Sequence, residues 1–141
     1  MNEIDLNKVT LRELNSKLQN SIENENWLVT NPKGNHALAV GLDNFINVKI
    51  DGSTGYYCAG MNKKASIQVN GSVGPGAAEN MMSGKLIVEG NASQYAGATG
   101  HGGCLIIKGN ASSRCGISMK GIDIIIKGNI CLLYTSDAAD E

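Results

Sequence analysis

Five times, at intervals of 19 residues and with no insertion, a short apolar run ends on a glycine. The copies are NVKIDGST from Asn47, SIQVNGSV from Ser66, KLIVEGNA from Lys85, CLIIKGNA from Cys104 and DIIIKGNI from Asp123. Their glycines are Gly52, Gly71, Gly90, Gly109 and Gly128. A period of this length marks an architecture in which each copy buries its apolar face only against its neighbours. The chain holds 18 Gly and 2 Pro in 141 residues, and 16 of those glycines lie after residue 45, so the bias belongs to the repeat. No Gly-X-Y triplet runs through it, which excludes a collagen helix.

Read by columns, one apolar position recurs as Val48, Ile67, Leu86, Leu105 and Ile124. Two residues on, the column is Ile50, Val69, Val88, Ile107 and Ile126. Between them Lys49 and Gln68 are polar, whereas Ile87, Ile106 and Ile125 are not. Alternate β-branched positions are strand chemistry. After the glycine comes a column of small hydrogen-bonding residues, Ser53, Ser72, Asn91, Asn110 and Asn129. Half a repeat later stands a small-residue column, Cys58, Ala77, Ala96 and Cys115. A meander of hairpins would reverse the apolar pattern on alternate strands, and here it does not reverse. The pattern predicts an all-β chain, a single-stranded parallel β-helix with 19-residue rungs stacked ~4.8 Å apart, with glycine allowing close backbone approach.

Ahead of the repeat, Thr10-Leu11-Arg12-Glu13 is a capping box, and Leu11, Leu14, Leu18 and Ile22 fall on one helical face. These predict a helix over about 11–23, placed either to cap the open end of the stack or to pack on a partner. Trp27–Thr30 and Ala37–Val40 read as short strands leading into the first full rung. The expected organisation is an N-terminal capping region over 1–26, a β-helix over 27–130, and a tail over 131–141. That tail, CLLYTSDAADE, is unrelated to the repeat and resembles a translated sequencing adapter. It is expected to be non-native, with further rungs following Ile130.

Lys plus Arg number 12 and Asp plus Glu 13, a net charge of −1, which fits neither a polycation nor an acidic tail. From residue 46 to 130 eight cations face four acids, spread over all rungs without interleaved aromatics, so nucleic acid is not expected as a partner. No apolar run approaches the ~20 residues that span a bilayer, and no signal-peptide core opens the chain, so a cytoplasmic protein without membrane partners is expected.

Catalytic constellations are missing from the pattern. Cys58 and Cys115 share a column three rungs apart, about 14 Å at the usual spacing, which is beyond disulfide reach. His101, in GATGHGG, stands three residues before Cys104, and two ligands at that spacing make no zinc site. Neither a phosphate-binding nor a dinucleotide-binding glycine motif occurs. Asp51, Glu89, Lys108 and Lys127 share one outward column and read as a solvated stripe. The expectation is therefore no catalytic residue, no metal ligand and no cofactor-binding residue in this chain. Tyr56, Tyr57, Met61, Met81 and Met82 stand at turn positions, where such residues either form an interface or fill rung corners.

Several strings resemble a known family: GYYCAGMN from Gly55, AENMMSG from Ala78, QYAGATGHGG from Gln94 and ASSRCGISMKGIDI from Ala111. They are similar to the Gly-X-X-Gly-X-X-X-Gly β-helix domain that ends the large subunit of glutamate synthase. The likeness is densest to its stand-alone form, the small glutamate-synthase-like β-helix subunit of N-methylglutamate synthase, and covers about residues 27–130. The same domain forms one subunit of formylmethanofuran dehydrogenase, which stays open as an alternative, as does a free-standing binding module. The resemblance implies a right-handed β-helix that acts as a noncatalytic scaffold in an oxidoreductase complex. The implied partners are a glutamine amidotransferase subunit and a synthase subunit carrying FMN and an iron–sulfur cluster.

Overall fold

A computed structural model describes residues 2–112 and 114–129. The 131–141 tail lies outside the described residues. Seven strands run in chain order across one parallel sheet: β1 (Asn2–Asp5), β2 (Asn26–Thr30), β3 (Asn47–Asp51), β4 (Ser66–Val69), β5 (Lys85–Val88), β6 (Cys104–Ile107) and β7 (Asp123–Ile126). One helix, α1 (Leu11–Gln19), separates β1 from β2. The architecture is the parallel β-solenoid that the repeat predicts. From β3 onward the pairing is strictly 19 residues apart, Val48 with Ile67, Ile67 with Leu86, Leu86 with Leu105 and Leu105 with Ile124.

Alternation decides the core. Ile50, Ile67, Val69, Leu86, Val88, Leu105 and Ile107 point inward and are buried, stacked column on column. The small-residue column (Cys58, Ala77 and Ala96) is buried opposite them, and its small side chains leave room for the strand residues.

From β3 onward, glycine closes the corner after the strand for want of space. The Gly90, Gly109 and Gly128 N–H groups each donate at 2.9 Å to the carbonyl of the glycine one rung before. A Cβ built on Gly71 would stand 2.6 Å from the Gly52 carbonyl carbon, and one on Gly128 2.3 Å from the Gly109 oxygen. Beside this ladder runs a second one. Asn91 Oδ1 accepts from Asn110 N at 2.8 Å and Asn110 Oδ1 from Asn129 N at 2.8 Å, with Ser53 and Ser72 hydroxyls serving the rungs before.

The side of the solenoid opposite the sheet is built from turns. Each rung places three alternate residues in the left-handed region: Ala37, Ala39 and Gly41; Tyr57, Ala59 and Met61; Gly76, Ala78 and Asn80; Tyr95, Gly97 and Thr99; Arg114, Gly116 and Ser118. Eleven of these fifteen are not glycine, although such residues lose roughly 1–2 kcal/mol each there. The alternation aims successive N–H groups in opposite axial directions. Tyr57 N donates to Pro75 O, Ala59 N to Leu38 O and Met61 N to Glu79 O, at 2.8, 2.9 and 2.8 Å. Hydrogen bonds to both neighbouring rungs offset the backbone cost.

That geometry corrects the expectation of a strand at Ala37–Val40. Ala37 and Ala39 have φ of +55° and +57°, and the segment is the same left-handed turn as in the later rungs. Residues 26–46 are thus a complete rung, concealed because β2 pairs with β3 at a spacing of 21, Val29 with Ile50. Asn31, φ +57°, follows β2 where Gly52 follows β3.

The helix is shorter than the predicted 11–23. Thr10 Oγ1 accepts from Glu13 N at 3.1 Å, and the Glu13 carboxylate accepts from Thr10 N, completing the capping box. At the far end the Asn20 amide turns back onto Ser16 O at 2.8 Å, and Asn44 Nδ2 donates to Leu18 O and Ser21 O. With its terminal carbonyls taken by side chains the helix stops at Gln19, and Ile22 stands 73% exposed. Leu14 and Leu18 are fully buried in the solenoid core. Asn15 holds Ala37 O and Ala39 N at 2.9 and 2.8 Å, and Gln19 holds Val40 O at 2.8 Å. The helix therefore closes the end of the stack, while β1, which carries no copy of the repeat, adds one more strand to the sheet.

Gly71→Ala is expected to cost about 1–3 kcal/mol, because backbone must move to admit the methyl. Gly34→Ala, at φ +71° with nothing within 4 Å of the added carbon, is expected to cost about 1 kcal/mol from conformation alone. Urea denaturation of the two variants checks the order.

Candidate functional site

Side chains leave this solenoid on three surfaces: the outer face of the sheet, the corner after it, and the corner before it. The corner after the sheet carries the aromatics. Tyr56 is 54% exposed and stacks on His36, ring centroids 3.6 Å apart and planes 18° off parallel. Its backbone N–H donates to His36 Nδ1 at 2.9 Å, which leaves the imidazole proton on Nε2. The ring of Tyr57 lies over Gly60, where a Cβ would come within 2.4 Å of it. Two rungs on, in the same column, Arg114 Nη1 donates to Tyr95 Oη at 2.9 Å and its guanidinium stands 5.7 Å from the ring centroid.

The corner before the sheet is apolar and basic. Met61, Met82 and Met119 are 44%, 47% and 44% exposed, and Phe45 is 58% exposed under the Lys64 ammonium, 5.4 Å from its ring centroid. Met81 is fully buried and fills the interior of this corner. Of the turn residues named from the sequence, Tyr56, Met61 and Met82 are exposed, Tyr57 is half-buried and Met81 belongs to the core. The structure thus divides that set between two different corners and the interior. Tyr95 and Arg114 stand one 19-residue period apart and so share a column, but nothing in the sequence pattern singles them out, and their contact is set by the corner geometry. The His36–Tyr56 pair was hidden by the irregular first rung.

The charged groups make local contacts. Lys108 Nζ reaches Glu89 Oε2 at 3.0 Å, and Gln68 Nε2 donates to the same oxygen at 2.9 Å. Lys108 first, then Gln68, hold the Glu89 carboxyl below the usual carboxylate range. Asp5 is likewise lowered, by the side chain of Asn31 at 2.8 Å and the backbone N–H of Asn7 at 2.9 Å. Burial pushes the Cys58 thiol up to about 12, so it carries no thiolate at neutral pH and is no nucleophile. His101 is exposed at a corner, its backbone N–H donating to Met81 O at 2.8 Å.

Among the described residues no three His, Cys, Asp or Glu side chains converge on a metal-sized site. A recess of about 200 Å³ on the sheet face is lined by Asn26, Asn47, Lys49, Ser66, Gln68 and Ile87. It is smaller than the roughly 300–1,000 Å³ of small-molecule sites. A second, of about 390 Å³, lies at the N-terminal end between Glu3, Asp5, Lys8 and Lys17, and one of its carboxylates, Asp5, is already engaged. No helix of the described chain is long and apolar enough to cross a membrane.

The described residues thus define a parallel β-solenoid that presents rigid surfaces. Over 62 residues the chain is 61% identical to protein GlxC of Rhizobium meliloti (strain 1021), a match covering 42% of this chain and 27% of that protein. The chain therefore spans about a quarter of the length of the curated relative it matches. No family model and no solved structure matches it.

Glu89 and Asp5 contribute to the acid side of stability. Their folded carboxyls bind protons less readily than the unfolded ones, so their contribution is complete above the ordinary carboxylate range. It is lost as pH falls through the lowered folded values. Denaturation measured from about pH 6 down to about pH 2, a span that brackets the carboxylate range, is expected to show that fall, and Glu89→Gln to flatten it.

Proposed function

We propose that this chain is a noncatalytic scaffold subunit of a glutamate-synthase-like oxidoreductase complex. In it, a glutamine amidotransferase subunit releases ammonia and a separate subunit bearing FMN and an iron–sulfur cluster uses it or an amine. The observation that carries the reading is the resemblance of the turn strings GYYCAGMN, AENMMSG and QYAGATGHGG to the stand-alone β-helix subunit of N-methylglutamate synthase. Support comes from the 61% identity to protein GlxC, which shows that part of this chain's sequence recurs in another protein.

The surfaces suit a scaffold. Stacked rungs hold their side chains at fixed intervals along the solenoid, so a partner meets a preorganised array and ordering costs little on docking. Exposed methionine and tyrosine at two corners, Met61 and Met82 on one and Tyr56 on the other, are residue types enriched at interfaces. FMN and the cluster belong to the partner in this proposal, and the present chain supplies position.

Two measurements test it. The purified chain is expected to show neither glutaminase nor synthase turnover, and robust activity of the chain alone overturns the reading. Produced together with its genomic neighbours, it is expected to elute with an amidotransferase and a yellow, FMN-bearing subunit in fixed ratio. Co-elution with a molybdenum or tungsten protein instead would move the chain to the formylmethanofuran dehydrogenase alternative.

A further inference from the structure

The outer face of β5, β6 and β7 carries a three-by-three grid of side chains set by the strand register. Its middle row is Ile87, Ile106 and Ile125, paired rung to rung. On one flank stand Lys85, Cys104 and Asp123; on the other, Glu89, Lys108 and Lys127. The last three are tied to the preceding rung through backbone bonds to Val69, Val88 and Ile107 at 3.0, 2.9 and 2.9 Å. All three isoleucines keep solvent exposure, and Ile125 is 48% exposed. The rungs before them present Lys49 and Gln68 in the same row, so the apolar row belongs to these three strands.

The charges on the flanks are opposite within two of the three rungs: Lys85 against Glu89, and Asp123 against Lys127. Among the described residues Lys85, Asp123 and Lys127 form no ion pair. Glu89 is held by Lys108 and Gln68 of its own chain and would be shared with Lys85 of a second copy. Such a pattern is its own complement. We propose that this face is a homotypic interface, docking on the same face of a second copy about a two-fold axis that runs along the isoleucine row. The operation lays each rung on its own counterpart with strand direction reversed. Ile87, Ile106 and Ile125 then meet their equivalents, Lys85 lies opposite Glu89 of the second copy, and Asp123 lies opposite Lys127 of the second copy. A two-fold axis forms each of these charge pairs twice. Lys49 falls on the same row two rungs before Ile87 and would face itself, a like-charge cost that limits the affinity. At about 27–40 Å² per residue, nine side chains from each copy bury roughly 500–700 Å² in total, below the ~1,000 Å² of a standing specific interface, so binding is weak, transient and salt-sensitive. Such a contact is independent of which complex the chain serves.

Sedimentation equilibrium of the full chain across a concentration series tests it, at low and high salt. A reversible monomer–dimer equilibrium that weakens with salt is expected. Ile106→Glu and Asp123→Lys are each expected to weaken it by about tenfold or more. Combining Asp123→Lys with Lys127→Asp is expected to restore it. All these side chains point outward, so circular dichroism should match the unaltered chain. Zero-length carbodiimide cross-linking of mixed light and ¹⁵N-labelled unaltered chains needs no variant, and is expected to join Asp123 of one copy to Lys127 of the other. A chain that stays monomeric at every concentration overturns the proposal and leaves the face to a different partner. So does association indifferent to Ile106→Glu, which would move the contact elsewhere, or a charge swap that fails to restore it.

Discussion

Everything in this molecule depends on main-chain hydrogen bonding along the solenoid axis at a spacing that leaves no room for a side chain at one corner. The glycine ladder makes that visible: N–H to carbonyl at 2.9 Å from Gly90 to Gly71 and onward to Gly128, with a carbonyl standing where a Cβ would be. Once that corner is fixed, the strand before it must alternate inward and outward in step with its neighbours. The polar side chain after it falls within reach of the next rung's N–H. The Ser and Asn ladder, the buried aliphatic columns and the in-register sheet follow from one repeat length.

The opposite side meets the same requirement by a different route. Residues such as Tyr57, Ala59, Asn80 and Thr99 adopt left-handed backbone that costs an L-residue free energy. Alternating that conformation sends successive N–H groups to the rungs on either side, so a short turn serves two neighbours at once. The arrangement packs small residues, Cys58, Ala77 and Ala96, against the inward face of the strands. An interior this narrow has little space for a ligand, consistent with a molecule whose interactions lie on its outside.

The ends and surfaces have separate origins. At the N-terminal end the helix substitutes for the turns of a rung, with Leu14 and Leu18 buried and Asn15 and Gln19 answering backbone groups of the first complete rung that a further rung would otherwise answer. Along the outside, each corner and face carries its own chemistry: stacked aromatics and an arginine on one, methionines and lysines on another, an isoleucine row flanked by opposite charges on the sheet. Repetition in sequence becomes a line in space, so a residue type recurring every 19 positions is an extended surface once folded.

The sequence by itself determined the rung length, the strands from β3 onward, the inward columns, the glycine corner and the capping box of α1, because each depends on contacts that repeat at constant spacing or lie within one helical turn. The same legibility did not extend to the first rung, where two extra residues break the period, nor to Ala37–Val40, whose left-handed turn is dictated by hydrogen bonds to the rung beside it and not by local propensity. It did not extend to the end of the helix, where the carbonyls of Leu18 and Ser21 are taken by Asn44 from the following rung. The candidate site divides in the same way. That Tyr56, Met61 and Met82 sit at turns could be read from the pattern, but only tertiary structure buried Met81, stacked His36 on Tyr56 and placed Arg114 on Tyr95. Those outcomes are fixed by the pitch and corner geometry of neighbouring rungs, which no single rung contains.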